Sequence, residues 1–369
     1  MFPTKLAAAA VTVGGLLVVT IPALGQPIAA SFPTPSIDRW MYVFNQTPGL
    51  EPEARVFSPY PYPIGYFDNR DGQFLVAWDT AAPGGIPTGQ PANHYRIMSA
   101  TVTVRVSGNN YFQYDPTYDS YLTYPPSPPG FDPPYPPAPQ ADADAGRPLE
   151  MFVCGYRNGY VAGPTAGPGQ QVFTQTGPYA TGPAFPSVGL RNVFPAQYNP
   201  SLTLIDVSNN VDNGFEARPI AVGIARSNTE QPMPVAPGDY VPINTDMEFT
   251  INVHQREVID AMRSGLSQGR VEFLITSLAL TTQASSIVPR FYTRQWTVQY
   301  GPDPAARTAS LTLNVCVGHP ADWNCSGALE VADIFEFLND WFASGGDFNG
   351  DGVTQVADIF EFLNAWFAG

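Results

Sequence analysis

The chain has 369 residues, with 32 acidic against 17 basic side chains and a formal net charge of −15. So acidic a composition excludes nucleic acid and anionic membrane surfaces as natural partners, because both are bound through clustered Lys and Arg. Three cysteines, Cys154, Cys316 and Cys325, are too few for a disulfide-stapled mini-scaffold, and the length suffices for one large core beside a second, smaller unit.

The first predicted element is a targeting segment. Lys5 precedes an apolar stretch from Leu6 to Val19, and the small residues Ala23 and Gly25 follow Pro22. This predicts a secretory signal peptide over residues 1–25, cleaved after Gly25, rather than a membrane-spanning helix, which needs about 20 apolar residues. The expected mature chain is secreted, or attached at a cell surface, and has no transmembrane segment. Export to an oxidising space permits one disulfide and leaves one of the three thiols unpaired.

Residues 26–315 read as short strands between Gly, Pro, Asn and Asp clusters. Gln73 to Trp78, Ser99 to Val106, Met151 to Cys154, Met247 to Val253, Val271 to Leu278, Thr293 to Tyr300 and Ser310 to Val315 are alternating or β-branched runs. One helix is predicted over Glu257 to Leu266, where Val258, Ile259, Met262 and Leu266 recur at helical spacing and Gly265 and Gly269 close it. The expected fold class is mainly β, a β-sandwich with one small helix. Residues 111–139 are dense in Pro and Tyr, which forbids a helix or a central strand and predicts a polyproline II excursion on the surface.

Chemistry in this large region is sparse. His94 stands in a predicted loop, His254 in a strand-like run and His319 near the end, without zinc-ligand spacing, and there is no nucleophile elbow. No catalytic residue is assigned. Asp115, Asp119 and Asp132, followed by Asp142 and Asp144, gather acids that read as a surface cation site or as solvated loop charge. Trp40, Trp78, Trp296, Tyr62 and Tyr66 are candidates for stacking on sugar rings, with Trp78 first a core residue.

The order of GQFLVAWDT, YRIMSATVTVRV, the strand-helix-strand DMEFTINVHQREVIDAMRSG and VEFLITSLA, then RFYTRQW and ASLTLNV resembles the jelly-roll carbohydrate-binding-like modules over residues 70–315. Phe291, Tyr292, Thr293 and Arg294 occupy the late segment of that pattern, with Gln295 where the modules have Glu. The resemblance implies a jelly-roll-like sandwich and a polysaccharide ligand.

The strongest signal lies in residues 316–369. Asp322 to Ala343 and Asp347 to Ala368 match at fifteen of twenty-two positions with an offset of twenty-five, sharing VADIFEFLN. Each repeat opens with a twelve-residue loop that sets oxygen donors at positions 1, 3, 5, 7, 9 and 12 and Gly at position 6, the pattern a hard cation needs. In the first loop these are Asp322, Asn324, Ser326, the carbonyl of Ala328, Glu330 and Asp333, with Gly327 at the turn. In the second they are Asp347, Asn349, Asp351, the carbonyl of Val353, Gln355 and Asp358, with Gly352 at the turn. No Lys or Arg follows Arg307, yet nine acids do, a density that predicts two bound calcium ions.

Position 12 is Asp in both loops, and each loop runs into a single helix. That duplicated half-EF-hand resembles the dockerin module, and the ADWN opening with its aromatic IFEFLN helices is similar to the anchoring variants known as GC-type. The resemblance implies a small α domain of two EF-hand-like calcium loop-helix repeats that attaches the chain to a cohesin-like partner. In dockerins loop positions 10 and 11 help choose the cohesin; here they are Val331 and Ala332, and Val356 and Ala357. Ile334, Phe335, Phe337, Leu338, Trp341 and Phe342, with their counterparts Ile359 to Phe367, are more apolar surface than so small a module can bury, so part of it is expected to face a partner. Cys316 pairs either with Cys325, stapling the module to the sandwich, or with Cys154 inside it. The functional expectation is an exported, non-enzymatic surface or matrix protein; a hydrolase carrying the same attachment module and a structural envelope component are the alternatives.

Overall fold

The computed structural model describes residues 26–45, 47–59, 68–82, 84–126, 136–177, 192–281, 287–302 and 307–369; the predicted signal peptide, Tyr62, Tyr66 and Asp132 lie outside them. The described strands are β1 (Ile28–Phe32), β2 (Ile37–Met41), β3 (Glu53–Arg55), β4 (Ser58–Pro59), β5 (Gln73–Asp79), β6 (Tyr95–Arg105), β7 (Glu150–Tyr156), β8 (Val193–Tyr198), β9 (Leu204–Asp206), β10 (Ala221–Val222), β11 (Ile224–Arg226), β12 (Asp246–Thr250), β13 (Arg270–Thr276), β14 (Leu280–Thr281), β15 (Arg290–Tyr292) and β16 (Ser310–Val317). The helices are α1 (Arg256–Gln268), α2 (Gln295–Tyr300), α3 (Val331–Phe342) and α4 (Val356–Ala368).

The chain is mainly β, and its two large sheets are antiparallel. One runs β1-β16-β6-β12-β11; the other runs β2-β5-β13-β7-β8-β9, with β10 paired to β7. Alternate residues of the two sheets meet in one core: Phe74, Val76 and Trp78 of β5 and Phe273 and Ile275 of β13 pack with Val102 and Val104 of β6 and Leu311, Leu313 and Val315 of β16. The opposite face of β5 and β13 is covered as well. Leu75, Ala77 and Leu274 lie with Ile37, Met41, Val193 and Phe173 in a second cluster. Burial on both faces is why QFLVAW is a continuous apolar run rather than an alternation. Helix α1 follows β12 and leads into β13, so the predicted strand-helix-strand crosses from one sheet to the other; its Val258, Met262 and Leu266 join the main core. Gly269, at φ 92°, ends it in the left-handed conformation that glycine adopts without strain.

Three expectations need correction. Thr293 to Tyr300 is not a strand: β15 ends at Tyr292 and α2 begins at Gln295. The Thr293 hydroxyl accepts from the Gln295 amide at 3.2 Å, and Trp296 and Tyr300, one helical turn apart, lie with ring centroids 4.3 Å from each other. The alternating Trp296, Val298, Tyr300 pattern misleads because Val298 is exposed. His254 sits in the turn between β12 and α1, and His94 ends a short 3₁₀ turn. Of the Tyr- and Pro-rich stretch, residues 127–135 lie outside the described residues; the described part has polyproline-like dihedrals at Ser120 and Tyr124, but it does not lie wholly on the surface. Phe112, Tyr114 and Tyr124 are buried, and the Tyr124 hydroxyl lies 2.6 Å from that of Ser58.

Glu272 shares its face of β13 with Leu274, under the segment that follows β7. It accepts hydrogen bonds from the Tyr156 hydroxyl and from the Gly163 amide at 3.0 Å. Burial pushes its carboxyl from 4.5 up to about 8; the Gly163 amide pulls it down and the Asp79 carboxylate adds to the rise. The folded state therefore holds this proton more tightly than the unfolded chain. Its contribution is fully present below pH 4.5 and is lost as the pH rises through about 8. Denaturant melts at pH 5 and pH 8.5 should show Glu272→Gln removing about 2 to 4 kcal/mol of the wild-type pH dependence. An unchanged pH dependence in the variant would locate its source elsewhere.

Candidate metal centre

The two C-terminal loops have the same internal wiring. In the first, Asp322 accepts from the amides of Ser326 at 2.9 Å and Gly327 at 2.9 Å, and Asp333 from those of Asn324 at 3.0 Å and Glu330 at 2.8 Å. Twenty-five residues on, Asp347 accepts from Asp351 at 3.1 Å and Gly352 at 2.7 Å, and Asp358 from Asn349 at 3.2 Å and Gln355 at 2.8 Å. In each loop, then, the carboxylates at positions 1 and 12 are held by amides of the same four loop positions. Asn324 and Asn349 likewise each accept from the amide two residues on, at 2.8 and 2.9 Å.

The sequence folds this way for local reasons. Gly327 and Gly352 sit at φ 85° and 87°, where a side chain would be strained. Position 4 is also left-handed, at Cys325 (φ 57°) and Gly350 (φ 74°), and Cys325 is bonded to Cys316. Cys316 lies within β16, so the bridge ties the first loop to the last strand of the sheet, and Cys154 is the free thiol. Position 9 is the N-cap of the following helix and position 12 its third residue; Glu330 with Asp333 and Gln355 with Asp358 form capping boxes. One carboxylate thus serves the helix start and the loop together.

The helices then pack the two repeats against each other. Phe337 and Phe362 stack at 4.2 Å, Trp323 packs edge-on to Phe337 at 5.0 Å and Phe348 edge-on to Phe362 at 5.5 Å. The Trp341 indole donates to the carbonyl of Gln355 at 2.9 Å, and its counterpart Trp366 donates to that of Glu330 at 3.2 Å. Each helix therefore braces the other repeat's loop at position 9.

What this arrangement can hold follows from charge and donor type. Asp333 and Asp358 are fully buried, Asp322 and Asp347 nearly so, and among the described residues none of the four is in an ion pair; the nearby ion pair, from Arg96, goes to Asp340. Burial pushes the Asp322 and Asp347 carboxyls up against the pull of their loop amides. Buried carboxylates without counter-charge are costly, and an all-oxygen donor set suits a hard divalent cation. Asp322, Asn324, Ser326, Ala328, Glu330 and Asp333 in one loop, and Asp347, Asn349, Asp351, Val353, Gln355 and Asp358 in the other, fit calcium by that test.

Val331, Ala332, Val356 and Ala357 occupy the first two positions of α3 and α4, and all four are exposed. Phe335, Phe342, Phe360 and Phe367 are exposed beside them, four aromatics in two equivalent pairs. The repeat pattern foretells that some aromatics stay outside; only the packing tells which. Family models, curated proteins and solved structures yield no match to the chain.

The large domain concentrates its candidates less. Asp115, Asp119 and Asp144 come together, their oxygens within 4.8 Å of one another. Arg147 pairs with Asp119 at 2.8 Å and Asp142 at 3.2 Å, while the Thr117 hydroxyl donates to Asp115 and Asp144. Of the stacking candidates, Trp78 is wholly within the core and Trp40 is buried, stacked on Tyr42 at 5.1 Å under the Arg55 guanidinium. Trp296 is half-buried and its neighbour Tyr300 is exposed. No described helix is long and apolar enough to cross a membrane.

Proposed function

We propose that the chain is an exported, non-enzymatic surface or matrix protein: a β-sandwich attached to a cohesin-like partner through a C-terminal, dockerin-like module that binds two calcium ions. The observation that carries this reading is the duplicated wiring of the loops, with buried carboxylates at positions 1 and 12 of each, none of them in an ion pair among the described residues. Calcium supplies the charge that lets these carboxylates stay ionised within the module. The chain's own residues supply the rest: the amides orient the carboxylates, the capping boxes fix where each helix starts, and the reciprocal Trp341 and Trp366 bonds hold the repeats in register.

The partner face in this reading is the exposed set Val331, Phe335, Val356 and Phe360. Its apolar character favours an apolar cohesin face over one that reads hydroxyl groups. For the sandwich, the proposed ligand is a polysaccharide of jelly-roll-module type, with Trp296 and Tyr300 the accessible ring pair.

Calorimetric titration of the full chain with calcium chloride should saturate near two ions per chain. Cohesin-type domains immobilised on a surface should then retain the protein in calcium and release it in EDTA, with Phe335→Asp and Phe360→Asp each lowering retention. Absence of calcium binding would end this reading, and retention indifferent to EDTA would remove its attachment mechanism.

A further inference from the structure

Two arginines of the sandwich face the two loops. Arg96, on β6 opposite Cys316, has its guanidinium carbon over the Trp323 ring, 4.4 Å from the centroid, and donates to the carbonyl of Trp323 and to the Cys325 sulfur at 3.3 Å. It pairs with Asp340 at 3.8 Å and lies in the field of Asp322 and Asp333, positions 1 and 12 of the first loop. Arg263, on α1, donates from Nε to the Tyr95 carbonyl at 3.0 Å and lies in the field of Asp347, position 1 of the second loop. Position 4 of that loop lies close against α1: a Cβ on Gly350 would stand 3.2 Å from Arg263 Nη1 and 3.3 Å from Ile259 Cγ2. Both guanidiniums line one cleft of about 370 Å³ between sandwich and module, together with Trp323, Asp340 and Asp347.

We propose that Arg96 and Arg263 set the calcium affinity of the loops, lowering it while the module is docked on the sandwich. This rests on the calcium reading of the loops given above. The physical basis is a competition of charges. A guanidinium beside a ligand carboxylate stabilises the loop without metal and repels a dication placed among the same oxygens. The module has no Lys or Arg of its own after Arg307, so the sandwich is the source of this opposing charge. Reciprocity follows: whatever docking takes from calcium affinity, calcium takes from docking. Loading the loops therefore loosens the module from the sandwich.

The test is calcium affinity of the full chain, measured by calorimetry for wild type, Arg96→Gln, Arg263→Gln and the charge-keeping Arg96→Lys and Arg263→Lys. The glutamine variants should bind calcium roughly three- to tenfold more tightly at unchanged stoichiometry, and the lysine variants should stay near wild type. Equal or weaker affinity in both glutamine variants would overturn the coupling while leaving calcium binding intact. Absence of binding in every protein, wild type included, would overturn the calcium reading and the coupling with it. A second measurement needs no variant: calcium should speed backbone hydrogen exchange at Arg96–Met98 and in α1 of the wild type, and unchanged or slower exchange there counts against the proposal.

Discussion

Removing calcium from the full chain should melt the C-terminal module and leave the sandwich folded. The module's buried core is small, chiefly Ala321, Trp323, Phe337 and Phe362 with the half-buried Phe348, and it must hold the buried Asp322, Asp333, Asp347 and Asp358. Without a dication those carboxylates are offset by loop amides and by two arginines from outside the module, which do not neutralise them. A ligand that binds only the folded form stabilises it by about 4 kcal/mol at a thousandfold excess over its Kd, and two such ions would exceed what so small a core supplies. Far-ultraviolet circular dichroism in EDTA should lose the signal of α3 and α4, and a thermal scan should divide into an early helical and a later β transition. Millimolar calcium should merge them or reverse their order. Identical scans in EDTA and calcium would show the loops stable without metal.

The parts of the fold legible in the sequence are those whose signal is local. QFLVAW, SATVTVRV and SLTLNV carry strand chemistry in their own letters, and β5, β6 and β16 form there. The C-terminal loops are legible in finer detail, since the repeat sets the same polar residues at the same spacings twice and the amide-to-carboxylate hydrogen bonds follow that spacing in both. What stays illegible depends on distant partners. Strand β2 contains Asp38 and Arg39, yet all five of its residues are buried, because Gln175, Thr174 and Gly177 supply their hydrogen bonds from more than a hundred residues away. The buried tyrosines of the Pro-rich stretch are hidden for the same reason: Tyr124 finds Ser58, and no spacing connects them. Arg96 and Arg263 read as ordinary strand and helix surface until the module is placed against them.

A buried ion pair of the large domain carries the largest mutational effect expected there. Arg70 and Glu150 are each about 1% exposed, and Arg70 Nη1 donates to Glu150 Oε2. The guanidinium also donates to Thr276 Oγ1 at 3.0 Å and to Asn210 Oδ1 at 3.1 Å, and it lies 5.3 Å from the centre of the Phe152 ring. Glu150 depends on it almost wholly, for its other oxygen, Oε1, has no hydrogen-bond partner. Burial pushes the Glu150 carboxyl up and Arg70 pulls it down. Arg70→Met should therefore cost about 3 to 5 kcal/mol, since it strands a buried carboxylate, whereas Arg70→Met with Glu150→Met should recover most of that loss. Urea denaturation followed by tryptophan fluorescence, at constant calcium, measures both. The single variant should also gain back stability between pH 8 and pH 5 as Glu150 takes a proton, because a neutral acid needs no guanidinium. A single-variant cost below about 1 kcal/mol at pH 8, or a double variant as weak as the single, would mean that packing and not charge pairing governs this position.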